Sequence, residues 1–195
     1  MFSYLIKIFK TLGMIMPKSR SPFDDYLTTL KETSKDEDNA EYMTESTYPA
    51  VNFDCFKSGY DSNKFCGFRS NDALLIPPDC NNKFVFVEFK NGGIERNIND
   101  TTEIVEKIYE SLFVFNEVKK KNISFDKFHV VYVLVYNEEK NSLYALNSHS
   151  AKNARKKYII PQLDRYKILF SDFFTMTKSE FCEITKKLDA GTYPF

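Results

Sequence analysis

The chain has 195 residues, of which 43% are hydrophobic and 16% aromatic, with 19 Phe, 12 Tyr and no Trp. This excludes an intrinsically disordered polypeptide and fits one domain of ordinary size with a real core. Lys plus Arg is 27 and Asp plus Glu is 27, so the chain lacks the global basic field of many nucleic-acid binders, while a local basic groove stays open.

The four cysteines, Cys55, Cys66, Cys80 and Cys182, form no C-x-x-C pair, and His129 and His149 are the only imidazoles. A zinc site is not expected from this set. Scattered thiols suit a reducing compartment, so a cytoplasmic location is the expectation. Residues 1–20 read as an amphipathic N-terminal segment ahead of one domain at 21–195. Within it Phe2–Met16 is apolar but interrupted by Lys7 and Lys10. It is too short and too charged for a bilayer span and lacks a clear signal-peptide pattern. Leu5, Ile8, Phe9 and Leu12 follow helical spacing. That suits packing on the domain, with surface attachment to a membrane or partner as the lesser alternative.

Pro17 to Pro22 is a break. Ser21 as a cap, Pro22 in a first turn and the acids Asp24 and Asp25 predict a helix over Phe23–Lys31. Thr33–Asn39 is charged and reads as a solvated connection. Ala40–Thr47 reads as a second short helix, stopped before Pro49. Val51–Phe56 and Lys64–Arg69 read as strands around the turn Ser58–Asn63.

The stretch from Asn71 to Lys90 organises the chain. Two apolar runs, Ala73–Ile76 and Phe84–Phe89, flank a segment carrying Pro77, Pro78, Asn81 and Asn82. This predicts two strands and a turn. Asp72 opens the first strand; Glu88 and Lys90 close the second. Side chains alternate along a strand, so Glu88 and Lys90 share a face with Phe84 and Phe86, opposite Val85, Val87 and Phe89. Both faces are apolar, the pattern of a strand covered on two sides. A carboxylate and an ammonium there must be paired or bound to a metal. A buried Glu88–Lys90 salt bridge, or a strand end emerging into solvent, is the structural alternative.

Asn91-Gly92-Gly93 lets the chain leave the sheet. Asp100 or Thr101 caps a helix running to about Lys119, with Ile104, Val105, Ile108, Leu112, Phe115 and Val118 as its apolar face. Glu103, Lys107 and Ser111 form a polar stripe beside that face. Lys119–Asn122 ends the helix, where cations suit the dipole. His129–Tyr136 is the most strand-like run and is expected to be central and parallel to Phe84–Lys90. Leu143–Leu146 reads as a short strand. Ser148–Lys157 carries Lys152, Arg155, Lys156 and Lys157, the best candidate for a phosphate-tracking surface. Ile168–Phe174 reads as a last strand. Lys178–Leu188 reads as a closing helix, with Thr177 and Glu180 as a capping box.

Asp72, then Glu88-Phe89-Lys90, resembles the signature of the PD-(D/E)xK nuclease superfamily, with Asn71 where the motif name has Pro. The resemblance spans roughly residues 40–136. It implies an α/β single domain with a mixed central sheet flanked by helices, built on a restriction-endonuclease-like αβββαβ core. It further implies a metal-dependent nuclease using Mg²⁺ or Mn²⁺. Asp72, Glu88 and the carbonyl of Phe89 would hold metal, and Lys90 would orient water or stabilise developing charge. Some members add an acid from a preceding helix, a place for Glu41 or Glu45; a solvated helix face is the alternative for each. Others lend a polar residue from the following helix, which would make Lys107 a contact to the phosphate or the acids. A Glu103–Lys107 surface pair is the favoured alternative there. Arg69 would contact phosphate or pair with an acid. DNA is the first substrate class and RNA, including tRNA, the second, in defence, repair or toxin activity. A non-catalytic module that binds a protein partner or inhibitor is the competing function. A small-molecule or membrane-associated protein is a third, resting on Phe2–Met16 alone.

Overall fold

The computed structural model describes residues 21–77, 83–94, 98–122, 129–141 and 161–195. The expected N-terminal helix, the strand Leu143–Leu146 and the basic run Lys152, Arg155, Lys156 and Lys157 lie outside the described residues. No helix among the described residues is long and apolar enough to cross a membrane.

The chain forms a mixed six-stranded sheet flanked by helices. Its strands are β1 (Leu27–Thr29), β4 (Pro49–Asn52), β5 (Ala73–Leu75), β6 (Lys83–Lys90), β7 (His129–Tyr136) and β8 (Asp172–Thr177), in that spatial order. The first three neighbouring pairs are antiparallel. β6–β7 and β7–β8 are parallel. A two-stranded hairpin, β2 (Lys35–Asp36) with β3 (Glu41–Tyr42), stands apart from the sheet. The helices are α1 (Leu30–Thr33), α2 (Phe53–Tyr60), α3 (Ile98–Asn122) and α4 (Lys178–Asp189).

Alternation along β6 sorts two cores. Phe84 and Phe86 join Ile104, Ile108 and Phe115 of α3 and Phe53 and Phe56 of α2 on one face. Val85 and Val87 join Val131, Val133 and Val135 of β7 with Phe181 and Leu188 of α4 on the other. β7 is buried from Val131 to Tyr136, as a strand covered on both sides must be. The Thr177–Glu180 capping box starts α4 as the sequence predicts. Lys119 departs from expectation: it is buried, its ammonium 4.3 Å from the Phe84 ring centroid, and burial lowers its pKa.

The N-terminal half differs from its sequence reading. Phe23–Lys31 is a 3-10 turn, an edge strand and the start of α1, because Leu27–Thr29 finds the open edge of β4. Ala40–Thr47 is not helical. Glu41 and Tyr42 pair with β2, and Ser46 Oγ donates to Asp189 Oδ1 of α4 at 2.8 Å, which holds the segment extended. The strand expected at Val51–Phe56 stops at Asn52, whose side-chain oxygen accepts from Cys55 N at 2.9 Å and caps α2. Lys64–Arg69 is irregular, and Gly67 sits at φ 78°, outside strand geometry. In the last segment the strand begins at Asp172, not Ile168, after a 3-10 stretch over Pro161–Leu169.

Candidate functional site

The site forms where β5 ends beside the longer β6. Ala73 pairs with Val87, and continuing that antiparallel register sets Asp72 opposite Glu88, so both carboxylates leave the same face. The N–H of Phe89 donates to Asp72 Oδ2 at 2.6 Å, which locks that carboxylate against β6. Glu88 is fully buried, and its Oε2 has no hydrogen-bond partner among the described residues.

α3 lays its polar stripe over this pair. Lys107 Nζ donates to Glu88 Oε1 at 2.8 Å and to Asp72 Oδ1 at 3.3 Å. One turn earlier, Glu103 Oε2 receives Lys90 Nζ at 3.3 Å, while Lys90 lies 3.8 Å from Glu88 Oε1. One turn later, Ser111 Oγ accepts from the backbone N–H of Asn71 at 2.8 Å. The i, i+4, i+8 spacing thus puts three polar side chains along the strand ends. The Glu103–Lys107 surface pair favoured from the sequence is replaced by these contacts, because the stripe faces inward.

The segment leading into Asp72 is tied down at each residue. Arg69 pairs with Glu103 at 2.8 Å and Glu106 at 2.9 Å, the acid-paired outcome of its two readings. Its backbone N–H donates to Glu110, and Ser70 Oγ donates to Asp54 on α2. Asn71 is fully buried, with both side-chain polar atoms unpartnered among the described residues.

Burial dominates the electrostatics. It pushes Glu88 up to about 8, with the negative charge of Asp72 adding to the effect and Lys107 and Lys90 opposing it. Burial also raises Asp72, against the pull of Lys107 and the Phe89 N–H. For Lys107, burial alone would favour loss of the proton; the charges of Glu88 and Asp72 outweigh it, and the ammonium is held protonated. Tyr132 is buried nearby with its hydroxyl unpartnered among the described residues, and burial and the two carboxylates raise its pKa.

Asp72 and Lys90 open onto a cavity of about 380 Å³. Its far wall is the β2–β3 hairpin, with Asp36, Glu37 and Asp38. Asn91, the residue after Lys90, holds that wall in place. Its Nδ2 donates to Asp36 at 2.6 Å and to Glu41 at 2.9 Å, and its Oδ1 accepts from Asn137 at 2.8 Å. Glu41 therefore contacts Asn91 and, at 3.6 Å, Lys140. Glu45 pairs with Lys31 at 2.6 Å and is largely exposed. Neither acid is among the contacts of Asp72 or Glu88. Both had been read on a helix that does not form.

Sequence reasoning missed Asp54, Asp36 and Asn91, and named Glu103 and Ser111 only as a polar stripe. Among the described residues no group of three or more His, Cys, Asp and Glu side chains is arranged to hold a metal. The oxygen donors at hand are the paired carboxylates. No family model, no curated protein and no solved structure matches the chain.

Proposed function

We propose that this chain is a divalent-metal-dependent phosphodiesterase that cleaves nucleic acid, with DNA the first substrate class and RNA the second. The observation that carries the reading is the facing pair Asp72 and Glu88, one locked by Phe89 N–H and open to a cavity, the other buried with one oxygen that has no partner among the described residues. A buried pair of carboxylates must be neutralised by a proton or by cations, and Lys107 and Lys90 already stand beside this one. Two carboxylates are a fitting donor set for Mg²⁺ or Mn²⁺, which keep several waters and complete their shell with substrate phosphate. When bound, such an ion supplies charge neutralisation and an activated water.

The chain's own residues do the rest. Phe89 N–H fixes one oxygen of Asp72, and in a regular strand the Phe89 carbonyl leaves on the same edge, available as a further oxygen donor. Glu103 holds Lys90 beside Glu88 at the cavity that Lys90 lines, where its ammonium would stabilise charge developing on a phosphate. In the metal-free site Lys107 neutralises the acids from above. The order β4, then Asp72 leading into β5, β6 with Glu-Phe-Lys, α3 and β7 supports this reading, since it follows the order expected of the βββαβ part of a PD-(D/E)xK core. The departures are a one-turn helix ahead of β4 and α2 inserted between β4 and β5.

A second reading, a binding module without chemistry, is favoured by the acidic far wall of the cavity, which repels a phosphate backbone unless cations intervene. Calorimetric titration with Mn²⁺ tests the first reading. Asp72→Asn and Glu88→Gln should abolish binding while circular dichroism stays native. Wild-type affinity in both variants would overturn the assignment of the metal to this pair.

A further inference from the structure

We infer that Lys107 is a tethered cation that holds the metal position in the resting site. Its ammonium must leave both carboxylates for them to bind a divalent ion. The inference rests on the metal reading above and goes beyond it. Lys107 Nζ is shared between Glu88 Oε1 at 2.8 Å and Asp72 Oδ1 at 3.3 Å. That is the point between two facing carboxylates where a bridging cation gains most from both. The side chain is mostly buried, so solvent does little to screen it from a second positive charge. An ammonium and a divalent ion at one point repel, and only one of them can sit there.

The ammonium has somewhere to go. Lysine carries a compact charge on a flexible four-carbon stem, so it relocates without moving α3. Glu103 lies one turn away on the same helix. Asp54 on α2 is the other nearby acid, held by Ser70. A substrate phosphate in the cavity would be a third destination. Lys90 is different. It lies 3.8 Å from Glu88 and is anchored on Glu103 at 3.3 Å. Lys107 therefore sets a threshold: the metal-free site stays neutralised, and the divalent-ion affinity is lower than the two carboxylates alone would give.

The test is Mn²⁺ titration calorimetry on wild type, Lys107→Met and Lys90→Met, with melting temperatures measured in EDTA and in saturating Mn²⁺. Lys107→Met should bind Mn²⁺ at least about tenfold more tightly than wild type. It should melt lower than wild type in EDTA and gain more from Mn²⁺. Lys90→Met should show no such tightening. Equal or weaker Mn²⁺ affinity in Lys107→Met, or equal tightening in Lys90→Met, would overturn the inference and leave the metal reading standing. Absence of Mn²⁺ binding in wild type and in both variants would overturn both. Should Lys107→Met fail to fold, a crystal structure of the wild type grown with Mn²⁺ decides. Lys107 Nζ out of hydrogen-bond reach of Glu88 and Asp72 supports the inference, and Nζ still bonded to both beside a bound ion overturns it.

Discussion

The backbone N–H of Asn71 donates to Ser111 Oγ at 2.8 Å, across a gap of 40 residues in sequence. This bond sets the rotation of α3 over the strand ends. Once Ser111 faces the start of β5, the 3.6-residue period brings Lys107 over Glu88 and Glu103 over Lys90. The bond also satisfies a buried backbone donor that β5, starting at Ala73, does not pair.

The metal-free protein should lose stability as the pH rises through neutrality. The folded state holds Glu88 at about 8, against an ordinary value of 4.5, so between these values it binds a proton that the unfolded chain has released. Stability therefore falls from about pH 5 to about pH 8 and levels off above. Asp72 is raised as well and acts in the same sense. Asp36, Glu41, Glu103 and Glu138 are held below their ordinary values, so their contribution is fully present across that range and is lost only in stronger acid. Melting temperatures in EDTA should thus decline across the neutral range, and Glu88→Gln should flatten the decline and melt higher at the alkaline end. A wild-type melting temperature that climbs over this range, or an undiminished slope in Glu88→Gln, would refute the account of Glu88.

Phe86 lies two residues before Glu88 on the same strand face and is fully buried. Its ring meets Phe53 of α2 at 5.0 Å and Phe115 of α3 at 5.6 Å, both edge-on. It therefore joins the two helices that carry Asp54 and Lys107. Phe86→Ala should cost about 3–5 kcal/mol, the usual range for emptying such a site. Urea denaturation measures this directly, and a loss below about 1 kcal/mol would mean that the core collapses around the gap.

Much of the half that carries the candidate site was legible from the sequence. His129–Tyr136 and Lys83–Lys90 are β-rich and apolar on both faces, and α3 carries a long periodic stripe; patterns of that length leave little choice. Short elements were misread where tertiary partners decide. Leu27–Thr29 is a strand only because β4 has a free edge beside it. Phe53, Phe56 and Tyr60 had the spacing of a helix, and Asn52 was its cap, but Val51 and Phe53 drew the reading toward a strand. The carboxylates and Lys90 were legible because the strand period fixes their faces. Which face of α3 looked inward was not, since Glu103–Lys107 also makes sense on a surface. Asp54 was hidden by the misread helix. The contacts of Asn91 to Asp36 and Glu41 join positions 50 or more residues apart, which no local pattern reveals.

The central claim is that Asp72 and Glu88 support metal-dependent cleavage. Its most direct measurement is single-turnover cleavage of labelled double-stranded DNA, single-stranded DNA and tRNA in Mg²⁺ or Mn²⁺. Wild type, Glu88→Gln and Lys90→Ala are compared, with binding measured in parallel in Ca²⁺. The account predicts cleavage by wild type that EDTA abolishes. It predicts that Glu88→Gln is inactive. Lys90→Ala should bind nucleic acid nearly as well as wild type and cleave about 10²-fold more slowly, the scale of losing one electrostatic stabiliser. No cleavage of any of the three substrates by wild type in either metal, or equal rates in wild type and Glu88→Gln, would contradict it.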